Sequence, residues 1–197
     1  GVILGSPTTT ITSYGYMRND AGDILINPTT GLPVIDATFK VRGDRNPDFT
    51  LGWNNQFSYK NWRLNFLWDF KVGGDIFNGT EEFLNSIGRS KITADRLVPR
   101  VIKGVLQDGL ENTTNPTQNT IVITPYTYDS YYRTMPEEAF IEKDVNWARL
   151  RELTLSYTFP RKKAGTATFI KGLSVFGTAN DLILITNYSG ADPGING

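Results

Sequence analysis

The chain has 197 residues, long enough for one domain with a sizeable core, and its 20 basic and 20 acidic residues cancel to a formal charge of +0. That balance leaves no electrostatic footprint for nucleic acid or an acidic membrane surface. There is no Cys, which removes disulfides and thiolate metal sites, and no His, which removes the usual general base and commonest metal ligand. Most catalytic constellations are thereby excluded. No run of 18 apolar residues exists, so no spanning helix is predicted, and "GVILGSPTTT" lacks the zones of a signal peptide, which implies a mature or internal segment. A spanning β-strand needs only about 9 to 11 alternating residues and leaves no hydropathy peak. With 11 Phe, 9 Tyr, 4 Trp and 19 Gly, the composition suits a membrane β-barrel and a soluble β-sandwich alike.

Residues 1–46 are rich in turn formers. "RNDAGDILINPTTGLPV" sets a short apolar run, Ile24 to Ile26, between Asp20, Gly22 and Asp23 on one side and Asn27, Pro28 and Gly31 on the other. This predicts a small hairpin on a long loop. Asn19, Asp20 and Asp23 carry calcium-type oxygens, but their spacing misses the EF-hand pattern and matches ordinary Asx-turn chemistry.

Residues 47–71 hold the strongest periodicity. Phe49, Leu51, Trp53, Phe57 and Tyr59 share one face with Asn55, opposite Thr50, Gly52, Asn54, Gln56 and Ser58. Beyond Lys60 and Asn61 the parity switches, and Trp62, Leu64, Phe66, Trp68 and Phe70 become the apolar set. Two strands of period two joined by a two-residue turn explain the switch. The register then pairs Tyr59 with Trp62, Phe57 with Leu64, Trp53 with Trp68 and Leu51 with Phe70, leaving both apolar rows on one side.

Residues 72–144 show no regular pattern beyond one short helix in "TEEFLNSIGRSKITADR", with Thr80 as its N-cap. A connection of this length is expected to be functional. Alternation returns over residues 145–180: Leu153, Leu155, Tyr157 and Phe159 face one way, Glu152, Thr154, Ser156 and Thr158 the other, and Pro160 ends the strand. The basic connection "RKKAGTATFIKG" leads to a last strand, "LSVFGTAND", and residues 181–197 read as a loop.

The apolar rows meet either a second sheet, as in a sandwich, or lipid, as in an outer-membrane barrel. Connections alternate long, short, long, short, long, as barrels alternate long extracellular loops with short periplasmic turns. Tyr59, Trp62, Tyr157 and Phe159 flank the short turns, where a periplasmic aromatic girdle belongs. This favours the barrel, with Phe49, Leu51, Trp53, Phe57, Tyr59, Trp62, Leu64, Phe66, Trp68, Phe70, Leu153, Leu155, Tyr157 and Phe159 facing lipid.

Three ordered blocks, "GDRNPDFTLGWNNQFSYKNWRLNFLWDFKVGGDIFN", "VNWARLRELTLSYTFP" and "LSVFGTANDLILITNYSGADPGING", together resemble the C-terminal region of SusC/RagA-type TonB-dependent outer-membrane transporters of Bacteroidota. The resemblance implies an all-β fold: a segment of a large antiparallel transmembrane barrel, 22-stranded in the family, with long extracellular loops. It further implies import of glycans or peptides with TonB energy and a SusD-like surface lipoprotein as a lid on those loops. Plug domain and TonB-contacting N-terminal region are absent from this sequence, so the chain is expected to be a piece whose partners include the rest of the same barrel. No cofactor or metal is implied.

Among loop residues, Tyr126, Tyr128, Tyr131 and Tyr132 are candidates for ligand or partner contact, with packing among neighbouring loops as the alternative. Glu137, Glu138, Glu142 and Asp144 supply carboxylates of the type a glycosidase pair uses, but their patternless stretch reads as a solvated loop face, and no catalytic residue is assigned. Asn180 and Asp181 are expected to form a turn at the barrel rim. The sequons "NGT", "NTT" and "NYS" are chance matches in such a protein. The readings are thus a transporter segment, a soluble β-rich carbohydrate-binding module and, more weakly, a surface hydrolase using Glu137 and Glu138.

Overall fold

The computed structural model describes residues 3–127, 130–160 and 173–194. In chain order the strands are β1 (Thr10–Tyr16), β2 (Leu25–Ile26), β3 (Ile35–Asp44), β4 (Phe49–Tyr59), β5 (Trp62–Val72), β6 (Ile76–Phe77), β7 (Arg100–Val101), β8 (Val105–Leu106), β9 (Val122–Ile123), β10 (Ile141–Glu142), β11 (Trp147–Thr158) and β12 (Ser174–Thr186). Two α-helices, α1 (Gly79–Ser86) and α2 (Ser130–Arg133), lie between β6 and β10. Two compact units result: a sheet unit, Pro47–Gly74 with Asp144–Pro193, and a loop unit, Asp75–Lys143 with the stretch up to Asn46. No helix among the described residues is long and apolar enough to cross a membrane.

The sheet unit is one antiparallel sheet in the order β12-β11-β5-β4. Its β4–β5 hairpin has the expected register: Tyr59 opposes Trp62, Phe57 opposes Leu64, Trp53 opposes Trp68 and Leu51 opposes Phe70. Lys60 takes φ 53, a left-handed conformation that lets two residues reverse the chain. The third strand continues the rows, with Tyr157 beside Trp62, Leu155 beside Leu64 and Leu153 beside Phe66.

A bulge then shifts the register between Leu150 and Glu152 against both neighbours of β11. Arg151 is the extra residue. Strict alternation from Leu153 backwards would put Arg151 and Arg149 among the leucines; the bulge instead brings Leu150 beside Trp68 and Ala148 beside Phe70. β12 bulges at the same level, and Asp181 adopts φ 50. Asn180 and Asp181 therefore lie inside a strand and form no rim turn. β12 runs on to Thr186, beyond the boundary at 180 expected from sequence, because the doubled bulge resets the pleat and keeps Ile183 and Ile185 in the apolar row.

The loop unit also departs from the expected loops. Its main hairpin pairs β1 with β3, whereas the Leu25–Ile26 run pairs in parallel with Val105–Leu106. Bulges in the β1–β3 ladder hide its period in the sequence. Gly15 leaves room there for the Glu138 carboxylate and the Arg42 guanidinium, which a Cβ would push aside. Residues 72–144 fold into two-residue strand pairs, β6–β10 and β7–β9, around buried Ile76, Ile123, Phe140 and Ile141. Helix α1 is capped by Asn78, whose side chain accepts from the Glu81 N–H at 3.0 Å, and not by Thr80, which lies in the first turn.

Candidate functional site

Alternation places every large apolar side chain of β4 on one face of the sheet, and that face is uncovered. Tyr59 is 70% exposed and Phe57 58%; Phe49, Leu51, Trp53, Trp62, Leu155 and Phe159 are exposed, while Leu64, Phe66, Trp68, Phe70, Leu153 and Tyr157 are partly covered by their neighbours. The rings pack edgewise and in offset stacks: Trp53 on Phe66 at 5.7 Å, Phe57 on Phe66 at 5.9 Å and Trp68 on Phe70 at 6.0 Å. Phe159, one residue past β11, meets Tyr157 at 4.9 Å, and Tyr157 meets Trp62 at 4.7 Å. Trp62, Tyr157 and Phe159 thus form a contiguous ring cluster beside the short turn, with Tyr59 opposite Trp62 in the register. The row continues into β12 through Val175, Ile183 and Ile185, all exposed.

The opposite face is mostly polar, with Leu67, Trp147 and the exposed Phe176 as exceptions. Thr154 and Thr178 share a hydrogen bond at 2.9 Å, and Thr158 and Ser174 one at 3.1 Å. At the bulge a ladder of charges crosses the strands. Arg151 donates to Asp69 at 2.8 Å and reaches Asp181 at 3.6 Å; Arg149 pairs with Asp181 at 3.5 Å and with Asp192. The Trp147 ring lies 5.8 Å from both guanidinium carbons. Arg149 is nine-tenths buried, so losing its carboxylates would strand a charge away from water. The ladder ties the segment after β12 to the sheet. Sequence reading missed it because its members are brought together only by the paired bulges.

In the loop unit the candidate tyrosines take different positions. Tyr126 stands 65% exposed on a single 3-10 turn, Pro125–Thr127, whose backbone is fixed by the Tyr126 N–H donating to the Arg96 carbonyl at 2.9 Å. Tyr131 and Tyr132 on α2 pack edge to face at 4.8 Å. Tyr131 also lines a small cleft of about 50 Å³ with Tyr16, Leu32, Pro33, Ile35 and Met135. Burial pushes the Tyr131 hydroxyl up, and burial, then Tyr131 and Glu138, push that of Tyr16 up to about 12. Both are neutral hydrogen-bonding groups at neutral pH. Tyr128 lies outside the described residues.

The loop carboxylates are structural. Glu138 accepts from the Tyr16 N–H at 2.9 Å and pairs with Arg18 at 2.9 Å and Arg42 at 3.4 Å, which corrects its reading as part of a solvated face. Arg42 also reaches Asp36, whose carboxyl is held down at about 2 by hydrogen bonds from Lys40 and the Thr38 N–H. Glu142 accepts from Asn78 at 2.7 Å. Asn19 turns its amide oxygen on the Asp23 N–H at 2.7 Å, an Asx-type closure with no ion needed. Among the described residues no group of three or more acidic residues is arranged to hold a metal.

No protein-family model matches the chain. It is 32% identical over 158 residues to TonB-dependent receptor P3 of Formosa agariphila, a match spanning 80% of this chain and 14% of that protein. TonB-dependent receptor P39 of the same organism is 24% identical over 174 residues, 87% of this chain and 16% of the receptor. Among solved structures, the RagAB peptide transporter covers 92% of this chain with 19% of its own, at a TM-score of 0.52 and 17% identity. The RagAB peptide importer in an open-open state gives a TM-score of 0.53 at 18% identity, again over 92% of this chain and 19% of its own. The chain spans about one seventh of the curated receptors it matches. A sheet with one open apolar row, in a sequence related along most of its length to these receptors and folded like part of the RagAB structures, belongs to a segment of a TonB-dependent receptor.

Proposed function

We propose that β4, β5, β11 and β12 are four neighbouring wall strands of an outer-membrane TonB-dependent transporter that imports glycans or peptides. The apolar row faces lipid and the polar face lines the lumen. The turn at Lys60 and Asn61 lies on the periplasmic side, and the loop unit projects outside the cell, where a SusD-like surface lipoprotein docks beside Tyr126, Tyr131 and Tyr132. TonB acts on the receptor's N-terminal region, outside this chain, and the remaining strands of a 22-stranded barrel pair with the open edges of β4 and β12.

The observation that carries this reading is the apolar row itself. Strands of 11 to 13 residues are long enough to cross a bilayer when tilted, and all their aromatic residues but Trp147 and Phe176 share one face, on which Phe49, Trp53, Phe57, Tyr59 and Trp62 are exposed. In water such a face is an aggregation surface; in lipid it is matched. The test is to place Arg singly at Leu51, Phe57, Leu64 or Phe66 in the full-length receptor and follow folding by heat-modifiable gel migration. Each is expected to cost roughly 2 to 4 kcal/mol near mid-membrane. Full assembly of all four variants, or a parent that is monodisperse without detergent, sinks the proposal.

A further inference from the structure

Charge is unevenly spread over the sheet unit. At the bulged end, Arg149 and Arg151 are paired with Asp69, Asp181 and Asp192, three carboxylates to two guanidiniums, and Glu152 stands opposite Leu67 in mid-sheet. At the short-turn end the described charges are Lys60 and Arg63, and neither forms an ion pair among the described residues. The nearest acid along β5 is Asp69, about 20 Å from Arg63 at the rise of a strand.

These two cations share a cleft of about 420 Å³ at the tip of the sheet. Trp62 and Arg63 belong to opposite faces, yet both line it, together with Ser58, Lys60, Thr158 and Phe159. The cleft therefore offers two positive charges, two hydroxyls and an aromatic wall continuous with Tyr157. The Lys60 ammonium also sits 5.2 Å from the Tyr59 ring centroid, which holds the charge beside the aromatic girdle.

We propose that this cleft binds the phosphodiester headgroup of an anionic membrane phospholipid in the periplasmic leaflet. The inference rests on the lipid-facing reading of the apolar row. Lys60 and Arg63 neutralise the phosphate, and Ser58 and Thr158 donate hydroxyl hydrogens to its oxygens. The first acyl carbons lie against Trp62 and Phe159. Charge complementarity selects this occupant: an uncompensated basic pair beside interfacial aromatics is the arrangement that attracts anionic lipid, whereas a zwitterionic headgroup brings its own cation.

The test uses the full-length receptor purified in detergent, with native mass spectrometry after titration with phosphatidylglycerol or phosphatidylcholine. Wild type is expected to retain phosphatidylglycerol in preference to phosphatidylcholine, and K60Q/R63Q to weaken that retention by roughly tenfold or more. K71Q, which removes a cation near the opposite end of β5, is expected to leave it unchanged. Equal retention by wild type and K60Q/R63Q overturns the proposal, and so does displacement of the lipid by millimolar inorganic phosphate, which marks a free-anion site. K60Q alone serves if the double variant does not fold, and an unchanged retention by it is equally fatal. Heat-modifiable migration, recorded in parallel, reports the barrel reading separately: a normal barrel with no lipid preference sinks only this inference.

Discussion

The two units differ in whether they close an apolar core of their own, although both leave apolar side chains exposed, Phe83, Leu97 and Val122 in the loop unit among them. In the loop unit Ile26, Ile76 and Val105 are 0% exposed and polar side chains such as Asn78 and Asn85 are buried with hydrogen-bond partners. In the sheet unit the buried apolar residues are few, Val145, Leu150 and Tyr188 among them, while Phe57, Tyr59 and Trp53 keep half or more of their surface open. The loop unit has a closed aliphatic core, whereas the sheet gathers most of its large side chains into one row that its own chain leaves open, which is the row proposed to face lipid.

Large-to-small substitutions separate the two most sharply. Ile76→Ala opens a cavity in a closed core and is expected to destabilise the loop unit by about 2 to 5 kcal/mol. Phe57→Ala removes a ring that lipid chains can replace, and its cost should be the smaller of the two. Hydrogen exchange on the full-length receptor in detergent or nanodiscs reads both. Ile76→Ala should deprotect the amides of β6 and β10, and Phe57→Ala should leave those of β4 and β5 protected. If Phe57→Ala proves as damaging as Ile76→Ala, the sheet face packs against protein and the contrast collapses.

The two units also differ in how far the sequence disclosed them. Over β4 and β5 each residue's face follows from period two, and the parity switch at Lys60 and Asn61 is enough to fix the turn and the register. The bulges in β11 and β12 escaped because an extra residue looks, in one dimension, like the end of a pattern. Arg149 and Arg151 seemed to close the alternation when they mark its reset, and Asp181 looked like a turn residue because Asp favours the same left-handed conformation in both settings. In the loop unit two-residue strands carry no period at all. Its candidate site was half legible: tyrosines in a long loop mark contact chemistry, but which of them is open depends on packing. Glu138 could not be told from a solvated glutamate until Arg18, Arg42 and the Tyr16 N–H were brought to it from 96 to 122 residues away.

Acid probes the polar side of the same contrast. Asp36 titrates at about 2 in the folded loop unit, below the ordinary carboxylate range, so the folded state binds its proton less readily than the unfolded chain does. Its stabilisation is fully present above about pH 4 and fades as pH falls towards 2. Exchange of the β1 and β3 amides, corrected for intrinsic rates, should rise over that window in wild type and follow a flatter course in Asp36→Asn. The β4–β5 amides should stay unmoved in both. An identical acid profile for the two proteins removes Asp36 as the cause.

Tyr126 tests whether exposure in the loop unit means what it means in the sheet. Its side chain is 65% open and its fixed part is the backbone, held by Arg96. Tyr126→Ala should therefore change stability by no more than about 0.5 kcal/mol, the range of substitutions that touch nothing buried. On the proposed reading the ring lies outside the membrane, and the role proposed for it there is contact with a partner or a ligand. Binding of the surface lipoprotein to the full-length receptor, measured by surface plasmon resonance, should weaken in Tyr126→Ala, while Tyr131→Phe, whose ring already packs on Tyr132, keeps it. Unchanged lipoprotein binding together with lost substrate binding would assign the ring to the ligand instead. Unchanged binding of both would leave Tyr126 as solvent-exposed surface, and the tyrosine site would have to be drawn without it.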